Sequence, residues 1–282
     1  MTKPKVIVIT GPTSSGKTNL AIKIAKKHNG EVISADSRQI YIGLDISTGK
    51  VTKEEMDGIP HHLLDIKHPN ERMTVAEWRR LACSAIHDII ARGKTPIVAG
   101  GTGFYINALI QNTTLPNVPA DPELREKLNK QSTKHLQDSL REKDPERYEQ
   151  IDIQNRVRLI RALEVVEKLG KVPPVESRPS PYDFEMVTLL PERSKLKKKI
   201  TARTKKRIAA GLVQEIRSVH NDMHVSWERL EEIGFDQKHA AKHLQGEITH
   251  EEMEEFIIRD NLRYAKRQYT WIENQILKKP EL

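Results

Sequence analysis

Residues Gly11, Pro12, Thr13, Ser14, Ser15, Gly16, Lys17 and Thr18 form an uninterrupted block directly after the apolar run Val6-Ile7-Val8-Ile9. Two glycines, a lysine and a closing hydroxyl at this spacing make a phosphate cradle where a buried strand hands the chain to a helix. The glycines let successive backbone N–H groups turn inward on an anion, Lys17 can reach a terminal phosphate, and the Thr18 hydroxyl can take a place on Mg²⁺. The positive end of the helix dipole adds to the field. The block specifies a diphosphate or triphosphate ligand and leaves the reaction open.

Asp36, at the exit of the next apolar run, is a candidate general base; a Mg²⁺-organising aspartate and a helix N-cap are its alternatives. Gly100-Gly101-Thr102-Gly103 follows the apolar run Ile97-Val98-Ala99, so either a ligand approaches bare backbone there, with Thr102 as donor and acceptor, or the stretch is a flexible turn. That run ends in glycines where a phosphoryl-transfer enzyme often carries a metal-holding aspartate, and Asp65 is the available substitute. The departure weighs against ATP hydrolysis or kinase chemistry, since backbone donors recognise oxyanions and not the adenosine. Two basic clusters remain. Residues 193–207 carry Arg193, Lys195, Lys197, Lys198, Lys199, Arg203, Lys205, Lys206 and Arg207, most of them expected on a solvated helix face. Arg158 and Arg161 share a helix face near Arg156, where they either grip phosphates or pair with Asp152 or Glu164.

These groups need a scaffold. Short apolar runs at 6–10, 31–34, 63–66, 95–99 and 186–190 read as buried parallel strands, with helical patterns at 17–27 and 74–91 between them. Thr74-Val75-Ala76-Glu77 has the form of a capping box. Strands alternating with helices imply an α/β doubly wound sheet, whose ligands lie beyond the carboxyl ends of the strands. From about Pro116 the texture changes to polar helix, and a second proline cluster precedes the run at 186–190. An all-helical insertion is therefore expected over 116–182, with 1–115 and 183–282 forming the core. Residues 251–274 read as a closing helix.

The 282 residues suffice for one large domain or two modest ones. Charged residues make up 30% of the chain, no apolar run can span a bilayer, and no apolar signal stretch precedes the first strand, so a cytoplasmic protein with no membrane partner is expected. Cys83 is the single cysteine, which excludes an internal disulfide and a multi-cysteine zinc module. A net charge of +8 asks for an acidic partner, with nucleic acid first among the possibilities.

The phosphate loop, Ser34-Ala35-Asp36-Ser37-Arg38-Gln39-Ile40-Tyr41, Pro60-His61-His62-Leu63-Leu64-Asp65, Gly100-Gly101-Thr102-Gly103-Phe104-Tyr105, Arg161-Ala162-Leu163-Glu164 and Ala265-Lys266-Arg267-Gln268-Tyr269-Thr270-Trp271 occur in order along nearly the whole chain. In this set the chain resembles the bacterial tRNA dimethylallyltransferases. The resemblance implies a P-loop nucleotide-kinase-like parallel sheet with a helical insertion. It also implies Mg²⁺-assisted transfer of a dimethylallyl group from dimethylallyl diphosphate to N6 of the adenosine 3′ of the anticodon in tRNA. Lys17, Thr18, the loop amides and Arg203 would then hold the departing diphosphate, Asp36 would accept the N6 proton, and Thr102 would sit between adenine and diphosphate. Asp36, Ser37, Arg38, Gln39, Thr102, Arg125, Val157, Arg158, Leu159, Ile160, Arg161, Lys266 and Arg267 fall where the family contacts the anticodon stem-loop. A monomer is expected. A base in a stacked loop must be flipped out to react, which gives a helical insertion a role as clamp. The alternatives are an adenylate isopentenyltransferase, which shares the core but prenylates free nucleotide, and a P-loop kinase or ATPase.

Overall fold

The computed structural model of the chain describes residues 2–113, 116, 118–174 and 179–278. In chain order it runs β1 (Lys5–Thr10), α1 (Lys17–His28), β2 (Gly30–Ala35), α2 (Lys53–Met56), β3 (His61–His62), α3 (Val75–Ala91), β4 (Thr95–Gly100) and α4 (Gly103–Ile110). Four helices follow without a strand: α5 (Pro122–Asn129), α6 (Thr133–Lys143), α7 (Pro145–Gln150) and α8 (Arg156–Leu169). The chain then forms β5 (Asp183–Thr188), α9 (Arg193–Ala209), α10 (Leu212–Asp222), α11 (Trp227–Ile233), α12 (Phe235–Leu244) and α13 (His250–Ile272). The strands make one parallel sheet in the order β3-β2-β4-β1-β5.

The central strands are buried on both faces, which is why they read as continuous apolar runs. Alternate residues serve opposite layers: Val6, Val8, Ile33 and Val98 pack with Trp78 and Ile86 of α3 and Ile106 of α4, whereas Ile7, Ile9, Val32 and Ile97 pack with Ala21 and Ala25 of α1. Pairing runs out at Thr10 opposite Gly100 and Gly100 opposite Ala35. The loops leaving β1, β2 and β4 therefore emerge side by side at one edge.

Three expected elements differ in detail. The strand expected at 63–66 is the two-residue His61–His62, because Leu63 and Asp65 take positive φ and turn the chain so that the Ile66 N–H reaches the Ile40 carbonyl at 2.8 Å. The last strand begins earlier than its apolar run, at Asp183, alongside Lys5 of β1. Thr74 caps α3 by accepting from the Glu77 N–H, but the Glu77 carboxylate pairs with Lys67 at 3.0 Å instead of closing a box.

The chain divides into two compact units, one made of Met1–Gln111 with Pro179–Leu282 and the other of Asn112–Arg178. Leu115 and Asn117 of the proline-rich junction lie outside the described residues. The second unit has its own core of Leu136, Leu140, Leu159 and Leu163, and Arg156 donates to the carbonyls of Leu128, Asn129 and Gln131 where α5 ends.

Candidate active site

The phosphate loop owes its shape to local backbone demands. Gly11 cannot carry a side chain, since a Cβ would lie 2.6 Å from the Leu189 carbonyl oxygen, and Gly16 takes φ +97° at the entry to α1. That helix starts with neither a side-chain cap nor an acidic first turn, so its amides have no acceptor of that kind and are available to an anion. The buried Ser14 and Ser15 hydroxyls also have no hydrogen-bond partner among the described residues. Lys17 Nζ donates to the Pro12 carbonyl at 2.7 Å, and Arg203, from α9, donates to Thr13 Oγ1.

Neither cation has a carboxylate within ion-pair distance among the described residues. Burial pushes the Lys17 ammonium down to about 8, a shift eased by Asp36 and reinforced by Arg203. Burial and the adjacent Arg207 guanidinium push Arg203 down to about 9. Two desolvated cations without a counter-charge favour an anionic ligand over the free state.

The acceptor side is built from the ends of β2 and β4. Asp36 Oδ1 accepts the N–H groups of Arg38 at 2.9 Å and Gln39 at 3.3 Å, a turn that fixes the carboxylate and leaves Oδ2 for a ligand. Thr102 N donates to the Ala35 carbonyl at 3.1 Å and Thr102 Oγ1 accepts from Ser37 N at 3.1 Å, so the two loops hold each other. The glycines here answer to close approach: a Cβ would lie 2.2 Å from the Ala35 carbonyl oxygen at Gly100 and 2.4 Å from the Trp271 ring at Gly103. Burial raises the Tyr264 hydroxyl pKa, with Asp36 adding to the effect, which keeps the phenol protonated. The loop amides, Lys17, Thr18, Asp36, Arg203 and Tyr264 line one crevice of ≈ 360 Å³.

A rigid wall closes the crevice. Glu215 of α10 accepts three consecutive N–H groups, from Asp45 (2.8 Å), Ile46 (2.6 Å) and Ser47 (2.9 Å). Arg207, buried and paired with Asp236 at 3.0 Å, donates to the Ser47 carbonyl and packs against Gly49, whose φ of +60° favours glycine. Arg207 is thus structural, whereas Arg203, one turn earlier on the same helix, faces the crevice.

Five residues expected at an RNA face hold other partners or lie inward. Arg38 lays its guanidinium 3.8 Å from the centre of the Phe235 ring and donates to the Ile233 carbonyl, while Phe235 itself stands at φ +54°, strained backbone for an aromatic residue. Arg125 forks both ways onto Glu164 at 2.7 Å, and Arg161 binds the same carboxylate and the Val118 carbonyl, the salt-bridge alternative for that cluster. The Leu159 and Ile160 side chains are buried in the core of the helical unit, packed with Leu136 and Leu140. Val157, Arg158, Lys266 and Arg267 are exposed. Sequence reasoning missed Gln268 and Tyr264 as site residues; only the position of Gln268 inside the closing motif pointed to it.

No helix of the described residues is long and apolar enough to cross a membrane. The family model described as IPP transferase matches residues 39–275. The tRNA dimethylallyltransferase of Halalkalibacterium halodurans is 40% identical over 282 residues, spanning 97% of this chain and 89% of that protein. That of Geobacillus thermodenitrificans is 42% identical, over 96% of this chain and 88% of that protein. Among solved structures, the full-length tRNA isopentenylpyrophosphate transferase of Bacillus halodurans matches with a TM-score of 0.71 at 39% identity, covering 97% of this chain and 88% of that one. A eukaryotic dimethylallyltransferase, seen in crystallographic snapshots acting on tRNA, matches with a TM-score of 0.83 at 28% identity, covering 98% of this chain and 71% of that one.

Proposed function

The chain belongs to the IPP transferase family, and we propose that it transfers a dimethylallyl group from dimethylallyl diphosphate to N6 of the adenosine 3′ of the anticodon in tRNA, releasing diphosphate. The observation that carries this reading is the meeting of an anion cradle and a carboxylate in one crevice, because β1, β2 and β4 end in register.

The adenine N6 lone pair attacks C1 of the allylic group as the C1–O bond breaks, and the bonding electrons leave with diphosphate. Negative charge grows on the bridging oxygen, where the loop amides, Lys17 and Arg203 stabilise it without reorganising. The N6 proton passes to Asp36, whose Oδ1 is already engaged by two backbone N–H groups and whose Oδ2 is the free oxygen. An aromatic amine is a weak nucleophile, so holding N6 against C1 supplies much of the rate. The Thr102 hydroxyl accepts from Ser37 N and lies in hydrogen-bonding reach of the Tyr264 hydroxyl, and from there it would hydrogen-bond between adenine and diphosphate.

The site fits Mg²⁺ in one form. Thr18 is an exposed hard oxygen beside the cradle, and the described residues contain no cluster of three His, Cys, Asp or Glu able to hold a metal, so the remaining ligands would be phosphate oxygens and water. Bound there, the ion would neutralise charge on the diphosphate. Basic residues on the exposed faces, Arg158, Lys266 and Arg267 among them, would hold the anticodon stem-loop, and the helical unit 112–178 would clamp it.

Incubating the protein with dimethylallyl diphosphate, Mg²⁺ and unmodified tRNA should prenylate the tRNA, and Asp36→Ala should lose transfer with tRNA affinity retained. Modification of AMP alone would assign the chain to adenylate prenylation. Turnover of ATP, with or without tRNA, would favour a kinase or ATPase.

A further inference from the structure

We propose that Gln268 is a positioning residue for the transfer reaction, holding the diphosphate cradle and the adenine acceptor in register through one side-chain amide; the inference rests on the prenyl-transfer reading above. Gln268 lies on the inner face of α13 and is 6% exposed. Its Oε1 accepts the Thr13 N–H at 2.7 Å and its Nε2 donates to the Gly101 carbonyl at 2.8 Å.

The two anchor points belong to opposite halves of the chemistry. Thr13 is in the phosphate loop and its hydroxyl receives Arg203, so it sits on the diphosphate side. Gly101 precedes Thr102, which is tied to Ala35 and Ser37 around Asp36, so it sits on the acceptor side. Backbone pairing between β1 and β4 ends at Thr10 opposite Gly100. Past that point the two strands are no longer paired, and the Gln268 amide links their continuations with the donor and acceptor a peptide group would have offered. Gly101 makes room for it, since a Cβ there would lie 2.2 Å from Nε2.

The bridge needs both polarities at fixed places. Leucine fills the space but removes the acceptor of the half-buried Thr13 N–H and leaves the buried Gly101 carbonyl with only the long bond from the Tyr264 hydroxyl, at 3.4 Å. Glutamate keeps the acceptor for Thr13 but turns a second oxygen on the Gly101 carbonyl, until protonation restores a donor. Once the bridge is cut, the halves shift independently, and a misplacement of about 1 Å between reacting groups costs about 100-fold in rate.

The test compares wild type with Gln268→Leu and Gln268→Glu in the full chain, with Gln268→Asn, whose amide is too short to span both anchors, if the leucine variant does not fold. Four quantities are read: tRNA prenylation, inorganic pyrophosphate binding by calorimetry, tRNA binding and thermal unfolding. We expect kcat to fall about 100-fold, pyrophosphate affinity to fall about tenfold, and tRNA affinity to stay unchanged. Gln268→Glu should regain activity relative to wild type as the pH is lowered from about 8 to about 6, as its carboxyl takes up a proton. Wild-type kcat in the variants would overturn the proposal. So would a loss that follows the unfolding temperature alone, with pyrophosphate affinity intact and no recovery at low pH. If wild type itself does not prenylate tRNA, the function reading fails, and the pyrophosphate measurement still decides the role of Gln268.

Discussion

The two arginine-rich regions of this chain spend their charge in opposite ways. In the helical unit, Arg125 and Arg161 converge on the buried Glu164, and Arg156 closes the end of α5. Burial pushes the Glu164 carboxyl up, but Arg125, the Asp121 N–H and Arg161 outweigh it and hold the group below its usual range. On α9 the division falls within a single helix: Arg207 is paired with Asp236, while Arg203, one turn away, ends on a neutral threonine beside a lysine that is equally short of a carboxylate. A buried cation satisfied by the chain's own carboxylate serves the fold. One left without a counter-charge in a crevice awaits an anion, at some expense to the free protein.

Removing each kind of arginine should separate these roles. Arg203→Ala should lower kcat/KM for the diphosphate donor by about 10²–10³, the usual cost of losing one donor to a developing oxyanion. The unfolding temperature of the ligand-free protein should not drop, which scanning calorimetry can check; a large drop would make Arg203 structural. The opposite pattern is expected of Glu164→Gln. It should cost about 2 kcal/mol, seen in urea unfolding, because the two arginines lose their charged acceptor while remaining able to reach water. Donor KM should not move.

A smaller effect sharpens the electrostatic side. Burial pushes the Lys17 ammonium down to about 8 in the free site, and a bound diphosphate would favour its charged form, so that form carries the affinity. Pyrophosphate binding should therefore be full below that pH and weaken as pH rises through it. Lys17→Met should bind weakly and lose this segment of the profile. The smallest effect belongs to an arginine of neither class: Arg158 is exposed, so Arg158→Ala should leave stability unchanged, weaken tRNA binding a few-fold and reduce the salt slope by about 1.

Much of this was legible in the residues. The phosphate loop is contiguous, so its two glycines, lysine and closing hydroxyl are recognisable from local spacing alone. Asp36 and Thr102 were readable because each follows an apolar run, and parallel strands deliver their loops to one edge. The third strand was misplaced because Leu63 and Leu64 look like strand residues while Leu63 and Asp65 adopt positive φ, a choice made by the Ile40–Ile66 hydrogen bond and not by side-chain type. Arginine roles were the least legible. Arg203 and Arg207 occupy the same helix with similar neighbours in sequence, and nothing local distinguishes a guanidinium facing Asp236 from one facing the cradle.

From the residues alone came the anion cradle, the doubly wound sheet, the helical stretch between two proline clusters and the basic surplus, since each arises from short-range pattern or from composition. Tertiary structure alone decided which cations are spent on carboxylates, that Glu215 and Arg207 stiffen the wall, and that Gln268 joins residues 13 and 101. Contacts between groups so far apart along the chain depend on how helices dock on the sheet, and docking sums many weak packing terms that no single motif encodes.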